Sequence, residues 1–282
     1  MCVNKNFKDS VFTALFSDPD LLRELYCALR GITLPNDAPV SINTLENVVF
    51  MDLYNDISFE IDGKLIVLIE HQTTINPNMA LRLLMYYANV TEKLVKGKTL
   101  YSEKTLSIPW PEFYVLYNGK KPYPDQKILK LSDLFKKPQE LGLPEDSYPL
   151  LELEVKVINI NEGKNAAIVN RCKKLAEYSA FTARAEKLFN ELGDRGEAVR
   201  AAIKYCEKHD ILREFLEVHG SEVLNMLSLE WNWDEAKEVW QEEASEKARE
   251  EESKKWQSVV AANEAKLAEY EAEIARLRGL TT

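Results

Sequence analysis

The stretch that most constrains this chain is Asn55–Gln72, NDISFEIDGKLIVLIEHQ. Asp62-Gly63 is a strong hairpin turn signal between two strand-like runs. Leu65–Ile69 is an unbroken apolar run, as expected of a strand buried on both faces. An acid, Asp56, opens the first strand, and Glu70 and Gln72 close the second. Side chains alternate along a strand, so the register of the hairpin decides whether these groups meet. A two-residue closure pairs Ile61 with Lys64 and leaves Asp56 and Glu70 on opposite faces. A three-residue closure, or one bulge, pairs Ile61 with Leu65 instead. That aligns Phe59 with Val67 and Ile57 with Ile69 on one apolar face. It also sets Asp56 opposite Glu70, with Gln72 two residues further along the same face. This second register separates apolar from polar residues far better and is the one expected.

Around the hairpin the chain alternates helices and strands. Phe7–Arg30 carries two apolar stripes split by Ser17-Asp18-Pro19, a helix start with Pro at the first helical position, so two helices are expected. Asp9 and Glu24 are acids on these helices, with solvated or capping roles as the plain alternative to a site role. A Pro-containing loop, Pro35–Pro39, follows Gly31. Asn47–Tyr54 is β-rich and, with the hairpin, makes three consecutive strands. Met79–Val95 reads as a helix with Leu81, Leu84, Met85, Ala88 and Leu94 on one side. Gly97–Pro111 is a long polar connection, read as a flap. Glu112–Tyr117 is a strand ending in the turn Asn118-Gly119-Lys120-Lys121-Pro122. A short strand and helix are expected within Ile128–Phe135, and another strand over Leu150–Ile158. The order suggests a mixed α/β sheet with helical flanks.

From Asn165 onward the pattern is helical, over Ala166–Asn190, Arg195–Lys208 and Ile211–Glu230. Asp234–Lys255 is a charge-dense helix. Trp256, Val260, Asn263, Leu267, Tyr270, Ile274 and Leu277 then form a short heptad seam. The seam reads as a homodimer contact, with a single solvated helix as the alternative. Three regions are therefore expected: residues 1–160 as the α/β domain, 161–233 as a helical region packed on or beside it, and 234–282 as charged helix and heptad tail.

The formal net charge of −10 argues against a basic nucleic-acid coat protein. Lysines nevertheless concentrate between Lys93 and Lys137, so an acidic chain can keep a basic working face. The four cysteines form no C-x-x-C pair, which points to reduced thiols and away from zinc. No apolar run reaches the roughly 20 residues that a membrane span needs. A cytoplasmic protein with no membrane partner is expected.

An acid, a strand and then E-x-Q can hold a divalent metal for phosphodiester hydrolysis. Mg²⁺, with Mn²⁺ as the alternative, takes carboxylate and carbonyl oxygens and retains waters. Asp56, Glu70 and the backbone carbonyl of His71 are the candidate metal ligands, and Asp56, Glu70 and Gln72 the candidate catalytic set. Many metal nucleases place a lysine where Gln72 stands; a glutamine can orient water but brings no positive charge. The His71 side chain should point away from Glu70 and Gln72 and is read as a hydrogen-bonded structural histidine. Arg82, Lys93, Lys120 and Lys121 are candidate DNA contacts. For Arg82 and Lys93 the alternative is the solvated edge of a packed crossover helix.

Five segments carry a resemblance: KDSVFTALFSDP, YNDISFEIDGKLIVLIEHQTTINPNMALRLLMYYA, FYVLYNGKKPYP, VKVININEGKN and RCKKLAEYSAF. Together they resemble the Rpn family of recombination-promoting nucleases, also described as transposases, within the PD-(D/E)XK nuclease superfamily. The similarity extends to about Trp240. It implies a restriction-endonuclease-like αβββαβ core with a mixed sheet, followed by a C-terminal helical region and a coiled-coil-like tail. It implies a bacterial Mg²⁺-dependent DNA endonuclease linked to recombination, mobile elements or defence. Asp56 then resembles the motif aspartate, Glu70 the motif glutamate and Gln72 the superfamily lysine position, a substitution common in the family. The upstream helix acid used by some superfamily members has only Asp9 and Glu24 as candidates. The rival reading is a catalytically inactive nuclease fold that binds DNA and assembles through its C-terminal helices.

Overall fold

The computed structural model describes residues 11–42, 56–63, 65–95 and 100–225, with isolated helical positions between 249 and 256. Its elements in chain order are α1 (Val11–Leu15), α2 (Pro19–Arg30), β1 (Val40–Ile42), β2 (Asp56–Ile61), β3 (Leu65–Gln72) and α3 (Met79–Leu94). After these come β4 (Trp110–Tyr117), β5 (Gln126–Lys130), β6 (Glu154–Asn159), α4 (Ala166–Val169), α5 (Lys173–Leu192) and α6 (Arg195–Lys208). A further helix, α7, spans residues 213–225. The described strands make one mixed sheet in the order β1-β2-β3-β4-β6-β5. From α2 to β4 the succession is αβββαβ, the core expected for this class. The chain divides into two compact units, Met1–Glu230 and Trp231–Thr282. The strand expected over Asn47–Tyr54 and the heptad seam beyond Trp256 lie outside the described residues.

The β2–β3 hairpin adopts the three-residue closure. Ile61 pairs with Leu65, Phe59 with Val67, Ile57 with Ile69 and Asp56 with Glu70. Asp62 and Gly63 both take left-handed backbone conformations, with φ of 52° and 62°. Aspartate tolerates that region better than most residues and glycine enters it freely. Val67, Leu68 and Ile69 are all buried, so β3 is covered on both faces. Its parallel partner β4 returns through the α3 crossover.

Each face of the sheet has its own cover. Leu68, Phe113, Val115, Tyr117, Val155 and Val157 pack with Met79, Ala80, Leu83, Tyr86 and Val90 of α3. On the other face Phe12 of α1 stacks on His71 with centroids 5.0 Å apart, and Tyr178 of α5 meets both rings edge-on. Glu112 of β4 ties α2 to this face. It accepts from Tyr114 Oη at 2.7 Å and pairs with Arg30 Nε at 3.3 Å.

Several boundaries differ from the sequence expectation, each for a local reason. The inner stripe of α3 is Met79, Ala80, Leu83, Tyr86 and Val90, whereas Leu81, Met85 and Leu94 are more than 40% exposed. Leu84 alone of the expected set packs partly against the core, and Ala88 is exposed. Apolar residues lie on nearly every side of this helix, so periodicity could not choose between two overlapping stripes. β4 begins at Trp110 because Pro111 sits where β4 has no β6 neighbour; that pairing starts only at Tyr114. β6 begins at Glu154 rather than Leu150, because its antiparallel partner β5 ends at Lys130 opposite Glu154. Leu150 is left 98% exposed. The helix expected over Ala166–Asn190 breaks between α4 and α5, where Glu24 accepts the Lys173 amide at 2.8 Å and caps the new helix. The connection before β4 is irregular over the described residues 100–109 and exposed over 100–108.

His71 yields a pH prediction. It is fully enclosed, its Nε2 lies 3.1 Å from Tyr178 Oη, and burial pushes its pKa down from 6.5 to about 4. The unfolded chain therefore binds a proton between those two values that the folded chain refuses. Stability is full above about pH 6.5 and falls as the pH drops towards about 4, by roughly 3 kcal/mol over the window. Thermal melts between pH 7 and pH 4 should show this slope, and His71→Phe should flatten it. An unchanged slope in the variant would assign the acid sensitivity to other groups.

Candidate functional site

The hairpin register brings the sequence-predicted groups to one place. Asp56 and Glu70 are directly opposed on adjacent strands. Leu68 and Gln72 share their strand parity and face α3, so the acidic pair occupies positions on the α3 face of the sheet. Gln72 is only 9% exposed. Its Nε2 donates to Met79 Sδ at 2.8 Å, at the first turn of α3. Arg82, one turn further, is half-buried. Its Nη1 lies 3.5 Å from the same sulfur, and its Nη2 is 3.5 Å from Tyr86 Oη. A small pocket opens here, walled by Gln72, Asn76, Met79, Tyr117 and Tyr123. Burial raises the pKa of both tyrosines, so each remains a neutral phenol.

The turn after β4 is locked against this end of β3. The Asn118 amide donates to the Gln72 carbonyl at 2.8 Å. Tyr117 Oη donates to the Lys121 carbonyl at 2.7 Å, and Asn161 Nδ2 to the Gly119 carbonyl at 3.1 Å. Asn118 Nδ2 reaches Thr182 Oγ1 of α5 at 2.9 Å. The VININ segment thus acts as a backbone clamp: Asn159 Nδ2 holds the Tyr123 carbonyl, and Asn165 Nδ2 holds the Asn159 carbonyl at 2.8 Å. In the sequence these asparagines stand out only through the family resemblance. Their use became legible once the strand ends were placed together.

The remaining candidates separate. Lys121 is exposed at the same strand end, whereas Lys120 leans towards α5, 4.0 Å from Glu186 and 5.6 Å above the Phe189 ring. Lys93 is exposed in the last turn of α3, about 16 Å along the helix from Arg82. The His71 side chain is on the opposite face, as strand alternation requires. Its backbone carbonyl lies between Glu70 and Gln72 in the chain. Glu24 is engaged at the start of α5 on that opposite face, and Asp9 lies outside the described residues. Met79, which joins Gln72 to Arg82, was not singled out from the sequence. The signal available was a helix start, Pro77-Asn78-Met79, immediately after E-x-Q.

The family model for "Putative transposase, YhgA-like" matches residues 11–200. The chain belongs to this family. The YhgA-like transposases sit in the Rpn-like group of the PD-(D/E)XK nuclease superfamily, and the match spans the whole described sheet. No curated protein and no solved structure matches the chain. Among the described residues no helix is long and apolar enough to cross a membrane. Nor, among them, does any group of three or more His, Cys, Asp or Glu residues gather as a metal cluster. In this YhgA-like chain Asp56 and Glu70 occupy facing positions on adjacent strands. Two carboxylate positions plus a main-chain carbonyl suit a hard cation that keeps several waters. One buried polar atom fits that reading. Among the described residues Ser58 Oγ has no hydrogen-bond partner, and Ser58 shares the strand parity of Asp56 two positions along β2.

The locked turn makes Gly119 indispensable. A Cβ there would lie 1.9 Å from the Thr73 carbonyl oxygen and 2.6 Å from Tyr117 Oη. Gly119→Ala should destabilise the fold by about 1–3 kcal/mol, since backbone has to move. Thermal unfolding of the variant beside the parent measures this; an unchanged melting temperature would contradict the clamp.

Proposed function

We propose that the protein is a metal-dependent DNA endonuclease, acting in the cytoplasm on DNA of recombination, mobile elements or defence. The observation that carries this reading is the register: Asp56 stands opposite Glu70 with Gln72 two residues on, in a chain of a nuclease-superfamily family. Hydrolysis adds water to phosphorus and breaks one P–O ester bond. The leaving alkoxide takes a proton, giving a hydroxyl and a phosphomonoester. Mg²⁺ or Mn²⁺, when bound, would acidify water and offset charge on the phosphate. Asp56, Glu70 and the His71 carbonyl would hold the cation.

Gln72 has a narrower part. A primary amide neither takes a proton at physiological pH nor carries charge, so it can only orient the attacking water. Lys121, on the fixed turn at the same strand end, and Lys93 would meet the phosphate backbone, where each neutralised phosphate adds salt-dependent affinity. Lys120 has a weaker claim, because its ammonium already faces Glu186 and the Phe189 ring.

Nicking of supercoiled plasmid with Mg²⁺, Mn²⁺ or Ca²⁺ tests the reading. Parent protein should nick with Mg²⁺ or Mn²⁺. Asp56→Ala and Glu70→Ala should each lose at least about 100-fold in rate at an unchanged melting temperature. Salt-sensitive DNA binding without nicking under any divalent metal would instead favour an inactive nuclease fold that works by binding and assembly.

A further inference from the structure

We propose that Arg82 is the catalytic cation of this site, supplying from α3 the positive charge that Gln72 does not carry. The proposal rests on the nuclease reading above and assigns Arg82 a role at the scissile phosphate rather than along the DNA backbone. Negative charge builds on the non-bridging oxygens as water adds to phosphorus. A fixed positive group beside those oxygens is among the largest contributions a protein can make. Position 72 lies two residues beyond Glu70 on the same strand face, suitably placed for such a group, and holds a neutral amide.

Arg82 is the cation that the fold brings to this amide. Gln72 Nε2 and Arg82 Nη1 converge on one atom, Met79 Sδ, at 2.8 and 3.5 Å. The guanidinium is therefore no further from the Gln72 amide than those two distances combined. The other candidate cations are placed differently: Lys93 is about three helical turns away, Lys120 faces α5, and Lys121 is exposed on the turn after β4. Arg82 is also half-buried, with Nη2 at Tyr86 Oη. Partial burial strengthens its field at the site and fixes the planar fork, which suits two phosphate oxygens at once. Met79 acts here as a soft spacer. Its thioether is a weak acceptor that aligns both donors without neutralising the charge.

The test compares parent, Arg82→Ala, Arg82→Lys and the double variant Gln72→Lys/Arg82→Ala. Single-turnover nicking with Mg²⁺ gives the rate. Binding of a short duplex in Ca²⁺ and the melting temperature are the independent readouts. Arg82→Ala should lose about 100-fold or more in rate while duplex affinity stays within about threefold, with Arg82→Lys in between. The double variant should recover at least about tenfold over Arg82→Ala, because it restores a cation two residues after Glu70. If Arg82→Ala lowers the melting temperature, Arg82→Met keeps the packing of the stem and takes its place. Rate and affinity falling in parallel would make Arg82 a backbone tether and overturn the proposal. So would near-parental cleavage by Arg82→Ala, or no recovery in the double variant. If the parent itself nicks DNA under no divalent metal, the nuclease reading fails and this role fails with it.

Discussion

The structure depends on how one hairpin closes. Placing three residues between Ile61 and Leu65 sets every side chain of β3 against β2. Either alternative spacing would turn one strand over. The chosen register buries Ile57, Phe59, Val67 and Ile69 on the face covered by α1 and α5. The same choice leaves Asp56, Glu70 and Gln72 positions on the face covered by α3. Burial of four large apolar side chains is worth several kcal/mol, so the apolar set enforces the register and the acidic pair follows from it. The Asp56–Glu70 pairing is thus held in place by residues on the opposite side of the sheet.

β3 has polar residues on both faces at its C-terminal end, and the fold treats them differently. His71 is enclosed by Phe12 and Tyr178 and kept neutral, so it joins the first helix and α5 to the central strand. Gln72, its neighbour, is buried against Met79 but remains at the wall of the pocket. Alternation along one strand therefore divides E-H-Q between the two faces of the sheet. The turn at Asn118–Lys121 continues this arrangement. Its amide binds the Gln72 carbonyl, and the amides of Asn159, Asn161 and Asn165 secure neighbouring carbonyls, so an irregular segment gains the rigidity of a strand end. Buried amide networks of this kind are specific because each lost bond leaves a buried carbonyl unpaired.

The features legible in the sequence were those governed by short-range rules. The Asp18-Pro19 helix start, the Asp62-Gly63 turn and its register, and the unbroken run of β3 all follow from local chemistry and polarity. Features settled by distant partners were not legible. Glu24 breaks the helix near Cys172 by capping Lys173, a pairing across 149 positions. Leu151 and Leu153 alternate with Glu152 and Glu154 like strand residues, yet the β5–β6 pairing reaches only to Glu154, opposite Lys130. The inner face of α3 is not legible in the sequence because leucine and methionine occur on both candidate stripes. Only the orientation of the chain leaving Gln72 decides between them.

The rotation of α3 determines what stands beside Gln72. With Leu81, Leu84, Met85 and Ala88 inward, Met79 would have turned away from Gln72 and Arg82 would have been one charge on a solvated edge. The observed stripe, Met79, Ala80, Leu83, Tyr86 and Val90, places Met79 under the end of β3. Arg82 then lies at the margin between core and solvent. A guanidinium at such a margin keeps enough water contact to avoid the full cost of desolvation and is close enough to the sheet to act at short range. The helix that buries one face of the sheet thereby also brings a guanidinium close to Gln72. Both follow from a single rotation of α3 about its axis.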